Sequence, residues 1–169
     1  MAGKKYIELG SNGFQERAGT DSSSGAANAG DLVALDAGGK LPLNMMPSGI
    51  GPATKALVAS EAITAPALVN VWNDAGAAKI RKADAASNKP ANGFILASVA
   101  LAASADVYFE GEVTGLSGLT PGKVWLSSST PGSVQSAIPT TAGHIAQSVG
   151  VATSATTVDF EVAEPILRA

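Results

Sequence analysis

From about residue 56 onward, short apolar runs alternate with Gly, Pro, Asn and Asp punctuation every 8–14 residues or so, and this rhythm limits the chain to β architectures. The alternation is cleanest at 107–113, where Val107, Phe109 and Val113 face one way and Tyr108, Glu110 and Glu112 the other. It recurs at 158–162, where Val158, Phe160 and Val162 oppose Asp159 and Glu161. One apolar and one charged face describe a strand covered on one side only. Further runs are "KALVAS" (55–60), "NGFILASVA" (92–100), "KVWLSSS" (123–129) between two Thr-Pro-Gly turns, "SVQSAI" (133–138), "HIAQSVGVAT" (144–153) and "TTVDFEVAEPIL" (156–167). Residues 67–84 read as a hairpin turned by Asn73-Asp74-Ala75-Gly76. The best helix candidate, 51–63, contains Pro52, and no stretch has a capped 3.6-residue pattern. The rhythm predicts an all-β domain over 56–169: a β-sandwich or jelly roll, or a small β-barrel.

Residues 1–55 have a different texture, with ten of the nineteen glycines. "AGTDSSSGAANAG" (18–30) is small and polar, and buries too little to offset its ordering entropy. "KKYIELG" (4–10) alternates as a short strand does, and "DLVALDAGGKL" (31–41) reads as a strand, a Gly-Gly turn and a second extended piece. The stretch "VALDAGGKLPLNMMPSGIG" (33–51) is apolar yet broken by Gly38, Gly39, Pro42, Pro47, Gly49 and Gly51. Neither a helix nor a central strand accommodates those prolines. The reading is an extended N-terminal arm whose apolar residues dock on another chain: Val33, Leu35, Leu41, Leu43, Met45, Met46, Pro47 and Ile50; the alternative is that 33–51 folds back onto the 56–169 domain. The prolines reduce the entropy lost on docking.

Composition narrows the function. Charged residues are 15% and aromatics 5%, which suits close packing of small side chains. The net charge of −3 and eleven scattered Lys and Arg do not make a nucleic-acid footprint. The absence of cysteine excludes disulfides and thiolate metal sites. The start "MAGKKYIELG" has no apolar signal region, and the longest apolar run, 93–103, is too short to span a bilayer, so no membrane partner is expected. The single histidine, His144, has no G-x-S-x-G serine to act with and reads as a surface or strand-edge residue. Glu110, Glu112, Asp159 and Glu161 read as wet strand faces rather than an acid pair. "GLSGLTPGKV" (115–124) departs from a phosphate loop at Ser117 and Val124 and reads as a turn. Trp72 and Trp125 are expected in the core. No enzyme, metal or cofactor is implied.

"GTDSSSGAANAGDLVALDAGGKLPLNMMPSGIG" resembles a pattern of tailed-bacteriophage virion proteins: a Ser/Gly/Ala tract, then "AG-x-[LIV]-V-x-LD-x-x-GK", then "MP-x-GIG". The later package "GLTPG…LS…TPG…G-x-x-x-Q-x-VG-x-A-x-SAT" is similar to the same group, so the resemblance covers nearly the whole chain. The step Lys40-Leu41-Pro42-Leu43 departs from it, with a proline and no acidic residue. The family it resembles is the capsid decoration, or cement, proteins, with related modules in fibre proteins. That resemblance implies a structural protein made in the host bacterial cytoplasm and carried on the capsid outer surface. It implies homotrimers with arms reaching across capsomers, and the major capsid protein as partner. The alternative is a tail- or head-fibre adhesin binding a host glycan through Trp72, Trp125, Tyr108 or the loop 114–122.

Overall fold

The computed structural model describes residues 5–42, 45, 46 and 53–169; of the arm residues named above, Leu43, Pro47 and Ile50 lie outside the described residues. The chain divides into two compact units, Met1–Gly51 and Pro52–Ala169. The fold is all-β, and it contains a small closed barrel as well as open sheets.

The N-terminal unit begins with an antiparallel hairpin of β1 (Lys5–Gly10) and β2 (Gly13–Ala18), in register from Lys5 opposite Ala18 to Gly10 opposite Gly13. Residues 31–35, expected as a strand, are tied to the unit by one bridge, Thr20 with Val33. The expected Gly-Gly turn does form. The Asp36 carboxylate accepts from the Gly38 and Lys40 amides at 2.8 and 2.9 Å, and competes there with any ladder. The Ser/Gly/Ala tract, expected to be flexible by itself, contains a 3-10 turn at Gly25–Asn28. The described part of this unit is thus a hairpin and pinned loops rather than one extended arm.

In the second unit, five strands close a barrel in the order β3-β5-β4-β6-β7. They are β3 (Thr54–Ala59), β4 (Ala67–Asp74), β5 (Ala77–Lys82), β6 (Gly93–Ile95) and β7 (Ser104–Tyr108). β3 starts at Thr54, so Thr54 and Lys55, assigned to the arm from sequence, belong to the barrel, and the 51–63 helix candidate is strand instead. The β3–β5 pair is parallel and the rest antiparallel. The β4–β5 hairpin turns at Ala75-Gly76, both at positive φ, with Asn73 Oδ1 accepting from the Gly76 amide at 2.7 Å.

A second sheet has the order β10-β9-β12-β13-β8, built from β8 (Gly111–Thr114), β9 (Gly122–Leu126), β10 (Val134–Gln135), β12 (Ser148–Ala152) and β13 (Thr157–Phe160). A short ladder of β11 (Ile145–Ala146) with β14 (Ile166–Leu167) completes the unit. Two cores result. Leu57, Ile63, Val69, Ile80, Ile95 and Val107 fill the barrel. Leu68 and Phe94 leave the barrel wall to meet Val113, Val124, Leu126, Val149, Val158 and Phe160 of the sheet. β4 is therefore buried on both faces from Ala67 to Asn70: apolar from Ala67 to Val69, then Asn70, whose side-chain amide donates to Pro90 and Asn92 and accepts from Arg81. Phe94 ties the layers together, edge-on to Phe160 at 5.2 Å and stacked on Tyr108 at 5.3 Å.

Three expectations change. The run 106–113 is two strands in two sheets, interrupted at Phe109-Glu110; Phe109 is 37% exposed, and Val107 and Val113 point into different cores. Val162 lies beyond the end of β13 and is 41% exposed. Trp72 and Trp125 are half-buried, not core: β4 beyond Asn70 loses cover on its outer face, and Trp125 shares the outer face of β9 with Lys123.

Candidate docking surface

Among the described residues every buried hydrophobic belongs to Pro52–Ala169, and none of Met1–Gly51 is buried. The N-terminal unit nevertheless exposes Ile7, Leu9, Phe14, Leu32, Val33, Leu35 and Leu41. A two-stranded hairpin is at best marginal in water by itself. Polar contacts hold this one in shape. Arg17 donates to Glu8 at 3.0 Å and to Asp31 at 3.5 Å, and Lys5 pairs with Glu16. Asp31 also accepts from Asn28 Nδ2 at 2.9 Å and Thr20 Oγ1 at 3.0 Å. The hydrogen bonds from Asn28 and then Thr20 hold its carboxyl below the ordinary value. The same ion pair with Glu8 raises the Arg17 guanidinium further.

Of the residues singled out from sequence, Val33, Leu35 and Leu41 are 59, 45 and 40% exposed. Met45 and Met46 are half-buried, and Met45 lines a hollow of about 150 Å³ with Thr20, Asn28, Asp31 and Val33. Val33 and Met45 thus come together, whereas Met45 is partly covered by its own unit. Sequence reasoning missed Ile7, Leu9, Phe14 and Leu32. The signal for the first three was Asn12-Gly13, a hairpin dipeptide following the alternating stretch 4–10.

The second unit offers little chemistry. Among the described residues no group of three or more His, Asp or Glu is placed to hold a metal, and no helix is long and apolar enough to cross a membrane. His144 Nδ1 is buried and has no hydrogen-bond partner. Glu112 and Asp159 are cross-strand neighbours on the exposed face of the sheet. One face of Trp72 lies under the Arg81 guanidinium at 4.7 Å, and Trp125 under the Lys123 ammonium at 4.9 Å. The 115–121 loop joins β8 to β9 and is pinned where the Leu116 and Leu119 amides donate to Thr156 and Ala155 carbonyls.

The motif residues of this unit have structural roles. Gln147 is 2% exposed; it accepts from the Ala91 amide at 2.7 Å and donates to the Ala91 and Ala163 carbonyls. Gly150 sits beside a β-bulge with φ 136°, and a Cβ there would lie 2.0 Å from the Asp159 carbonyl oxygen. Comparison with family models, with curated proteins and with solved structures finds no match to this chain.

Proposed function

We propose that this chain is a structural protein of a tailed-phage particle. It binds the outside of the assembled capsid, with the Met1–Gly51 unit as docking element and the major capsid protein as partner. The observation that carries the reading is the mismatch between the units: the N-terminal one exposes Leu32, Val33, Leu35 and Leu41 and has no buried residue among those described. Fully burying a side chain of this size contributes about 1.5–3 kcal/mol, and these four are already about half covered, so a single set of contacts does little more than offset the cost of association. Binding the assembled shell and not its free subunits stabilises the shell by mass action. Several copies acting together strengthen a weak single contact. The half-covered tryptophans give no comparable support to a glycan-binding fibre.

Co-sedimentation of the full chain with assembled capsids tests the reading. The chain is expected in the capsid pellet, and a Leu35→Asp/Leu41→Asp variant is expected to bind at least about tenfold more weakly with an unchanged melting temperature. Failure of the full chain to pellet, or equal binding by the variant, would overturn it.

A further inference from the structure

The hairpin has two unlike faces. Tyr6, Glu8, Gln15 and Arg17 share one, and there Arg17 reaches Asp31, so the 31–33 loop lies on that side. The other carries Lys5, Ile7, Leu9, Phe14, Glu16 and Ala18, with Ile7, Leu9 and Phe14 exposed at 73, 73 and 81%. Leu9 stands directly opposite Phe14, and Ile7 opposite Glu16. The result is an exposed apolar tip of Ile7, Leu9 and Phe14 with a charged stem of both signs, where Lys5 shares a hollow with Leu32, Val33 and Ala34.

We propose that this face is a homotypic contact, covered by the same face of a second copy of the chain. The pattern is self-complementary. A two-fold axis running along the ribbon sets β1 of each copy over β2 of the other. By the hairpin register, Leu9 then lies over Phe14 of the partner subunit, Ile7 over Glu16 of the partner subunit and Lys5 over Ala18 of the partner subunit, which makes Lys5 and Glu16 of the partner subunit diagonal neighbours. The opposite charges at the stem meet opposite charges across the axis, which fixes the register, while like-charged alternatives are disfavoured. A chemically unrelated partner would have no reason to carry this mirrored pair.

The area agrees with such an occupant. Three side chains of this size expose on the order of 400 Å² together. Two such faces bury about 800 Å², and the stem side chains bring the total near the roughly 1,000 Å² at which a specific contact begins to hold. The pairing is therefore reversible in dilute solution and strong where copies are held side by side. This inference goes beyond the capsid reading, and its test contains no capsid, so the two succeed or fail separately.

Sedimentation equilibrium of the full chain over a wide concentration range is the experiment. The expected result is reversible self-association in the micromolar range, weakened at least about tenfold by Leu9→Ser/Phe14→Ser. Because that variant also perturbs the hairpin, a charge pair provides the second arm, in which both chains lose the in-chain Lys5–Glu16 pair alike and only their preference for each other is read. Lys5→Glu and Glu16→Lys chains, each poor at pairing alone, are expected to form a mixed dimer when combined, since every cross-copy contact then joins opposite charges. A wild-type chain that stays monomeric at the highest concentration would overturn the proposal. So would association that Leu9→Ser/Phe14→Ser leaves unchanged, or charge variants that do not prefer each other.

Discussion

Phe14 and Phe94 put the two units side by side. Both are aromatic, both sit on strands, and both face an apolar neighbour across a ladder. Phe94 is 1% exposed, wedged between Tyr108 and Phe160; Phe14 is 81% exposed on a ribbon with no third layer. The second unit uses its apolar side chains to hold itself together, and the first holds itself with ion pairs and turn hydrogen bonds while displaying its apolar side chains outward. The difference teaches that hydrophobic content does not say where burial takes place. In Pro52–Ala169 it happens on folding; the described residues of Met1–Gly51 leave their apolar side chains exposed, as the proposed docking requires.

Substitutions of increasing mildness probe that contrast. Phe94→Ala opens a cavity where the barrel meets the sheet and is expected to cost about 3–5 kcal/mol, measured by urea denaturation. A cost below about 1 kcal/mol would mean that the two layers do not share a core there. Gln147→Ala leaves the buried Ala91 amide and two carbonyls short of partners; about 1–3 kcal/mol is expected in the same assay. Phe14→Ala, assayed at concentrations too low for self-association, is expected to shift the midpoint by less than about 0.5 kcal/mol. A large loss would place Phe14 in a core of its own and erase the contrast.

The mildest effect is a pH effect confined to the N-terminal unit. The folded-state value of Asp31 lies below the ordinary 3.8 because Asn28 and Thr20 hydrogen-bond the carboxylate. Its contribution to holding the 20–31 loop is therefore complete above that ordinary value, and fades as pH falls through the depressed folded one. NMR chemical shifts of Thr20 and Asn28 should follow a titration whose midpoint lies below 3.8. A change centred above 3.8 would mean that the hydrogen bonds do not favour the charged form.

Much of the second unit is legible in the sequence, because local signals and tertiary cover agree there. The β4–β5 hairpin follows from Asn73 to Gly76, and β9 from its flanking Thr-Pro-Gly turns. Legibility fails at 106–113 for a specific reason. Val107 and Val113 keep the same phase across the break, so alternation cannot reveal that they serve different cores. The tryptophans mislead because an apolar run signals a strand, not which part of it is covered on both faces. In the candidate site, Val33, Leu35 and Leu41 were visible as apolar residues in a segment that cannot fold alone. Ile7, Leu9 and Phe14 were not recognised because β2, "GFQERA", has little apolar content, and its pairing is announced by Asn12-Gly13 alone.

Hydrogen exchange of the full chain, free and bound to assembled capsids, tests the central claim most directly. In the free protein, amides of β1 and β2 should exchange far faster than those of β4, β9 and β12, because no core protects them. On capsids, protection should rise in residues 5–42 and change little in the barrel and the second sheet. Protection that appears instead on Pro52–Ala169, with the hairpin and the 31–42 segment unchanged, would contradict the account.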